Sequence, residues 1–315
     1  MKRLKRMKSK VLKSSVHTGR LDCGLQTFVW PMPGFTRKFG LVSVKYGSVD
    51  NEFVPPGESE ALRVPEGIAH FLEHKLFEDK KGDVTERFSA LGASCNAMTS
   101  FTSTTYYFSC TDNFEKSLRL LLGMVRRPDF SPAGIEKEKG IIGQEIMMER
   151  DNPDWRVFLN MLCGMYARHP VRVDIAGTAD SIARIDRDLL VKCHRTFYHP
   201  RNMVLVAAGD MNPDVVVKTA ERVFGRTRAG NGDIRRIIPE EPDRPAREKV
   251  GDRMAVNRPK LLLGFKEEDT GATSSDLFRK DILTALVLDT LFGRTSDLYN
   301  DLYSRGLVDG PFSAS

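Results

Sequence analysis

An α+β fold in two domains is the expectation set by three features of this 315-residue chain. Runs of β-type residues precede and interrupt long amphipathic helical runs; a stretch rich in Gly, Pro and charge follows residue 225; beyond it the strand-then-helix order starts again. With 41% hydrophobic residues the chain has enough apolar surface for real cores and lacks the composition of a disordered protein.

The elements follow in order. The first 13 residues, MKRLKRMKSKVLK, hold seven Lys or Arg and no acid, and they carry much of the formal net charge of +6. Residues 1–15 therefore read as a basic N-terminal arm, in the simplest case solvated, with nucleic acid or an anionic surface as the alternative contact. No apolar signal core follows it, and no later run is long enough to span a bilayer. GLQTFVWPMPGFTRKFGLVSVKYGSV (24–49) reads as two β runs joined by a Pro/Gly turn, which predicts a hairpin. GIAHFLEHKLFE (67–78) is helical, VTERFSAL (84–91) is a short helix, and SCNAMTS (94–100) and STTYYFSC (103–110) are strands.

Helices are expected over 113–126, 134–150, 154–167 and, as one element closed by Pro200, 180–198. NMVLVAAGD (202–210) is a strand and 213–224 a helix. This makes residues 16–227 one domain, 228–247 a linker, and 248–315 the beginning of a second domain, with a strand in MAVNRPKLLLGFKEE and a helix in SSDLFRKDILTALVLDTLFG. So few residues are small for an independent α+β domain, so the second domain is expected to be C-terminally incomplete.

The five cysteines, Cys23, Cys95, Cys110, Cys163 and Cys193, are odd in number, far apart and never in a CxxC pair. Neither a disulfide framework nor a thiolate zinc site is indicated, and a reducing, cytoplasmic setting is expected.

The chemistry concentrates in GIAHFLEHKLFE. At 100° per residue, Ile68, Leu72 and Leu76 form one stripe and His70, Glu73, His74 and Phe77 lie roughly opposite. A helix apolar nearly all round belongs in a core, where three ionisable groups are costly unless something pairs with them. Two histidines four apart on one face reach a single metal, and HxxEH is the inverted form of the HExxH zinc-peptidase signature. The plain alternative is two core histidines bonded to backbone beside a snorkelling Glu73.

A zinc site of this kind needs a third protein ligand, commonly a carboxylate. In GIEKEKGIIGQEIMMER, positions 135, 138, 142, 145 and 149 follow a 3,4,3,4 spacing, so glutamates share the apolar seam with Ile135 and Ile142. Glu145 is the preferred ligand, and Glu138 a carboxylate that supports a histidine or the catalytic group. The alternative for both is a surface pair with Lys137, Lys139 or Arg150. Given zinc, the chemistry is peptide hydrolysis by zinc-activated water with Glu73 as general base. GASCNAMTS, with its small and polar side chains, suits an edge strand that pairs with an extended substrate, an internal strand being the alternative.

These residues resemble the insulinase or pitrilysin family of inverted-zincin metallopeptidases, in the branch of the mitochondrial processing peptidase and its bacterial relatives. The markers are GIAHFLEHKLFE, ASCNAMTSFTSTTYYF, EKEKGIIGQEI, AGTADSI and FYHPRNMVLVAAGDM. The resemblance implies repeated α+β halves, each a mainly antiparallel sheet covered by helices on one face, enclosing a chamber. It implies one Zn2+ per chain on His70, His74 and Glu145, Glu73 as base, Glu138 as the supporting catalytic carboxylate, and substrate alignment by Asn96 and Ala97. Many members also use an Arg and a Tyr from a non-zinc half; DLYSRGLVDGPF places Tyr303 and Asp309 there, so the pair reads as absent.

The expectation is therefore a zinc metalloendopeptidase acting on peptides or unfolded segments. Its partner would be a paralogous non-zinc subunit in a heterodimer, or a second copy in a homodimer. A non-catalytic scaffold or assembly subunit of the same fold is the alternative. Nucleic-acid binding lacks any RNP, KH or zinc-finger pattern.

Overall fold

The computed structural model describes residues 4–11, 13–79, 82–225, 233–267, 273–308, 310 and 312–314. The chain divides into two units, 1–264 and 265–315.

The first unit carries strands β1 (Lys5–Ser9), β2 (Ser14–Arg20), β3 (Gln26–Pro31), β4 (Lys38–Val44), β5 (Glu52–Val54) and β6 (Leu62–Arg63), followed by helix α1 (Ile68–Lys75). The short strands β7 (Glu78–Asp79) and β8 (Gly82–Asp83) lead into α2 (Val84–Ala90), β9 (Ala93–Thr99) and β10 (Thr104–Cys110). Helices α3 (Phe114–Arg126), α4 (Pro132–Arg150), α5 (Pro153–Met165), α6 (Ala179–Ala183) and α7 (Arg187–Phe197) come next, then β11 (Met203–Gly209), α8 (Pro213–Phe224) and β12 (Arg235–Arg236).

Seven strands form one sheet in the order β1-β2-β3-β11-β4-β10-β9, antiparallel throughout except for the parallel β3–β11 pair. Every second side chain is buried: Thr104, Tyr106, Phe108 and Cys110 of β10, Met203, Leu205 and Ala207 of β11, Val42 and Val44 of β4. Period-two burial of this kind marks a sheet with one covered face. Phe71 and Leu72 of α1, Leu118 and Leu122 of α3 and Val216 and Ala220 of α8 complete that core.

Five expectations are corrected. β3 and β4 are not a hairpin: β11 lies between them, with Val204 opposite Gln26 on one side and Met203 opposite Val44 on the other. The six-residue connection 32–37 reaches across two strand spacings, roughly 10 Å, which a tight turn does not. The basic arm is not solvated backbone, because residues 5–9 pair with β2 as an edge strand, Lys5 opposite Thr18 and Ser9 opposite Ser14. Its charged side chains stay exposed while its backbone is paired, and such charges keep an outer edge from recruiting another strand.

The single helix expected over 180–198 is two, because Asp186 caps α7 by accepting from the Leu189 N–H at 2.9 Å. The described part of the expected linker is strapped to the first unit. β12 pairs with β5, Arg236 meets buried Asp50 at 2.7 Å, and the Glu241 carboxylate accepts from the backbone N–H groups of Ala167, Arg168 and His169 at 2.6–2.7 Å.

No strand forms over the described residues 251–267, where Leu261 and Leu263 are 79% and 75% exposed. The expected strand has no ladder partner among the described residues, and a strand is made by its partner. In the second unit the expected helix is present as α9 (Ser274–Phe292), followed by α10 (Asp297–Ser304). Among the described residues no helix is long and apolar enough to cross a membrane.

Candidate metal centre

The start of α1 is set by two glycines. Gly67, its N-cap, has φ 88°, and a Cβ there would lie 2.4 Å from the Ala176 carbonyl oxygen. Gly177, with φ 77°, approaches the Glu66 carbonyl so closely that its own Cβ would sit 2.5 Å away, and Ser181 Oγ donates to the same oxygen at 2.8 Å. The AGTADSI stretch thus buttresses the first turn of α1, and only glycine combines left-handed backbone with this approach.

Ile68, Phe71, Leu72 and Leu76 point into the core, and on the other side His70 and Glu73 are each 9% exposed. α4 begins on the Ser131 cap with proline at its first position and packs against α1. Ile135, Glu138, Ile142 and Ile146 of α4 are buried, as the 3,4 spacing predicts for the first three. Glu145 is half-buried; Glu149 leaves the seam and accepts from Asn152 Nδ2 at 3.2 Å.

The two helices bring three donors together. His70 Nε2 lies 3.5 Å from Glu145 Oε1 and His74 Nε2 lies 3.4 Å from Glu145 Oε2, with all three ligand atoms within 4.8 Å of one another. These separations are long for good N–H···O hydrogen bonds. They match the edge of a tetrahedron with ligands at about 2.1 Å from its centre, roughly 3.4 Å, so the residues fit zinc. Glu138 Oε1 holds His74 Nδ1 at 2.9 Å, which leaves Nε2 facing Glu145. His70 Nδ1 is buried with no hydrogen-bond partner among the described residues, so that ring is oriented by packing and by Glu145 at its other nitrogen.

Burial works to lower the His74 pKa, but the Glu138 and Glu145 carboxylates outweigh it and hold it up at about 10. Hydrogen bonding to His70 and then His74 keeps the Glu145 carboxyl well below the usual carboxylate range despite its burial. At neutral pH His74 therefore holds a proton, which a metal ion binding through its Nε2 would have to displace. Zinc affinity should rise with pH between 6 and 9, with release of about one proton; titration calorimetry in buffers of different ionisation enthalpy measures it, and uptake without proton release would contradict it.

Glu73 lies beside the donors with Oε2 accepting from Thr99 Oγ1 at 2.7 Å. β9 is the last strand of the sheet and, among the described residues, pairs only with β10, so Asn96 and Ala97 stand on its outer edge. Asn96 Oδ1 accepts from the Ala97 N–H at 2.8 Å, covering a donor that faces away from β10. A cavity of about 400 Å³ lined by Glu73, His74, Phe77, Cys95, Asn96 and Glu138, among others, opens alongside. Tyr303 is exposed on α10 and stacks on Tyr299, whereas Asp309 lies outside the described residues.

Two contributors escaped the sequence reading. Lys75, adjacent to His74, is fully buried and donates to Glu78 at 2.5 Å, holding that carboxyl below its usual range; a Cβ on Gly134 of α4 would lie 2.7 Å from its Nζ. The pair joins the end of α1 to the start of α4. The signal available in the sequence was a lysine three residues before a glutamate at the end of an apolar helical run. Thr99 is the other contributor.

Residues 56–179 match the family model described as insulinase (peptidase family M16), and residues 184–315 match the one described as peptidase M16 inactive domain. The chain is 43% identical over 303 residues to the uncharacterized zinc protease YmfH of Bacillus subtilis (strain 168), covering 96% of this chain and 71% of that one. It is 31% identical to mitochondrial-processing peptidase subunit beta of Caenorhabditis elegans over 57% of this chain and 40% of that one. The crystal structure of an M16-like peptidase from Alicyclobacillus acidocaldarius superposes with a TM-score of 0.90 at 43% identity, over 95% of this chain and 70% of that one. The chain therefore belongs to the insulinase family, peptidase family M16, and resembles a member named as a zinc protease across almost its whole length.

Proposed function

We propose that this chain is the metal-bearing part of a zinc metalloendopeptidase that hydrolyses peptide bonds in peptides or unfolded segments. His70, His74 and Glu145 would hold one Zn2+, Glu138 would support His74, and Glu73 would be the general base. The observation that carries the reading is the convergence of three donors from α1 and α4 within 4.8 Å, with Glu73 beside them. Zinc there supplies Lewis acidity, polarising a scissile carbonyl and acidifying water.

The chain's own residues do the rest. With Oε2 occupied by Thr99, Glu73 has its other oxygen for the proton of the attacking water, which it then passes to the leaving amine. The free edge of β9 aligns an extended peptide by main-chain hydrogen bonds, with the Asn96 carboxamide giving up the Ala97 N–H as substrate arrives. This selects segments that can be drawn out into a strand and excludes folded ones.

The inactive-domain match covers 184–315, whereas all five site residues from His70 to Glu145 fall within the insulinase match at 56–179. That placement favours catalysis over the scaffold reading for residues 16–227, with 248–315 read as the second, inactive-type half. A paralogous subunit would supply the oxyanion donors that Tyr303 and Asp309 do not. The five cysteines are all free, in keeping with a cytoplasmic setting.

Peptide hydrolysis by the full chain, assayed with and without the candidate paralogue, tests the reading. Chelation should remove activity and one equivalent of zinc should restore it. Activity that survives complete metal removal would refute the metal role, and equal rates with and without the paralogue would refute the heterodimer.

A further inference from the structure

We propose that Thr99 is the positioning residue of the general base, coupling the substrate-aligning strand to Glu73. The proposal deepens the reading above and rests on its assignment of Glu73. Thr99 is the last residue of β9, and its Oγ1 stands 2.7 Å from Glu73 Oε2. Opposite it in the ladder is Thr104, whose Oγ1 lies 3.4 Å away.

Counting protons settles the direction of this chain of hydroxyls. Thr104 is fully buried, and its single hydroxyl proton is given to the Tyr46 carbonyl oxygen at 2.9 Å. Towards Thr99 it can only accept. Thr99 also has one proton, and the nearer and charged acceptor is Glu73, so the donor–acceptor sense runs from strand to base. Behind Thr104 the hydroxyls of Tyr106 and Tyr198, both buried, bond to each other at 2.8 Å and offer Thr99 no competing partner.

Two consequences follow for Glu73. Its two carboxylate oxygens become inequivalent: Oε2 is occupied by the Thr99 hydroxyl, and Oε1 is left for the proton of the attacking water. Its rotamer is also tied to the end of β9, the strand whose middle residues, Asn96 and Ala97, stand on the free edge. A peptide pairing with that edge therefore bonds to the element that holds the base. Such a role acts on turnover rather than on ground-state binding.

The test uses the full chain carrying Thr99→Val or Thr99→Ser, in the Glu73 background and in a Glu73→Ala background, with zinc content, thermal melting and peptide kinetics measured for each. Thr99→Val should keep its zinc, keep KM within about twofold and lower kcat by about tenfold or more, the loss expected for a hydrogen bond to a charged group. Thr99→Ser should recover most of that kcat. In melting, Thr99→Val should cost about 5 °C when Glu73 is present and little when residue 73 is alanine, which is the signature of a direct pair and needs no activity.

Equal melting penalties in both backgrounds, or a Thr99→Ser variant as impaired as Thr99→Val, would overturn the proposal while leaving the peptidase reading intact. A Glu73→Ala variant that still turned over substrate at the original rate would overturn that reading, and the proposal with it.

Discussion

Replacing Glu73 by glutamine should leave the protein folded and zinc-loaded and lower peptide turnover by about a thousandfold, within the range attributed to general acid–base groups. Glutamine is nearly isosteric, and its amide oxygen can still accept from Thr99 Oγ1, which approaches Glu73 Oε2 at 2.7 Å. What disappears is a group able to take a proton. The three proposed metal donors are on His70, His74 and Glu145, so metal content should not change. Zinc analysis together with kcat decides the matter: a variant with full metal and full turnover removes Glu73 from the mechanism.

Replacing Glu145 by alanine should have the largest effect on the metal itself. Glu145 faces both histidines, at 3.5 and 3.4 Å, so its removal deletes one donor of three. Zinc affinity should fall well beyond the roughly 10–100-fold expected for Glu138→Gln, which alters only the carboxylate behind His74. Competition with a chromogenic chelator ranks the two variants; equal losses would move the ligand role away from Glu145.

The same variant changes how the metal-free protein responds to pH. The depressed Glu145 carboxyl contributes stability that is present above about pH 4.5 and is lost as pH falls through its lower native value. The raised His74 contributes stability that is full below about pH 6.5 and is lost as pH rises towards 10. The metal-free protein should gain most from this cluster between those limits, and Glu145→Ala should flatten the acid flank of its melting profile and lessen the alkaline one, where Glu138 still holds His74.

What could be read in the sequence was what obeys a local period. The α1 stripe of Ile68, Leu72 and Leu76 and the opposed His70, Glu73 and His74 follow from 3.6 residues per turn, and the same arithmetic placed Glu138 and Glu145 on one seam of α4. What could not be read depended on a distant partner. The turn between β3 and β4 looks like a hairpin because nothing nearby shows that β11 separates them. Residues 5–9 look like an arm because charge is visible in a sequence and backbone pairing is not. Residues 233–247 look like a linker because Pro and Gly mark turns, whereas Arg236 and Glu241 find their partners at Asp50 and at residues 167–169. Thr99 escaped notice because a lone hydroxyl declares its role only once its acceptor is in place.

The insertion of β11 also orders events in time. Every candidate donor and the base lie before residue 150, yet β11 at Met203–Gly209 is what joins the β1-β2-β3 half of the sheet to the β4-β10-β9 half. Val204 pairs with Gln26, so the centre of the sheet closes over a separation of 178 residues (204 − 26). Contacts of such long range are slow to form, and during synthesis the two halves wait for the strand between them. A nascent chain that already carries HxxEH and Glu145 still lacks the strand that holds its sheet together, so the ribosome delivers the chemistry well before the fold that would restrain it.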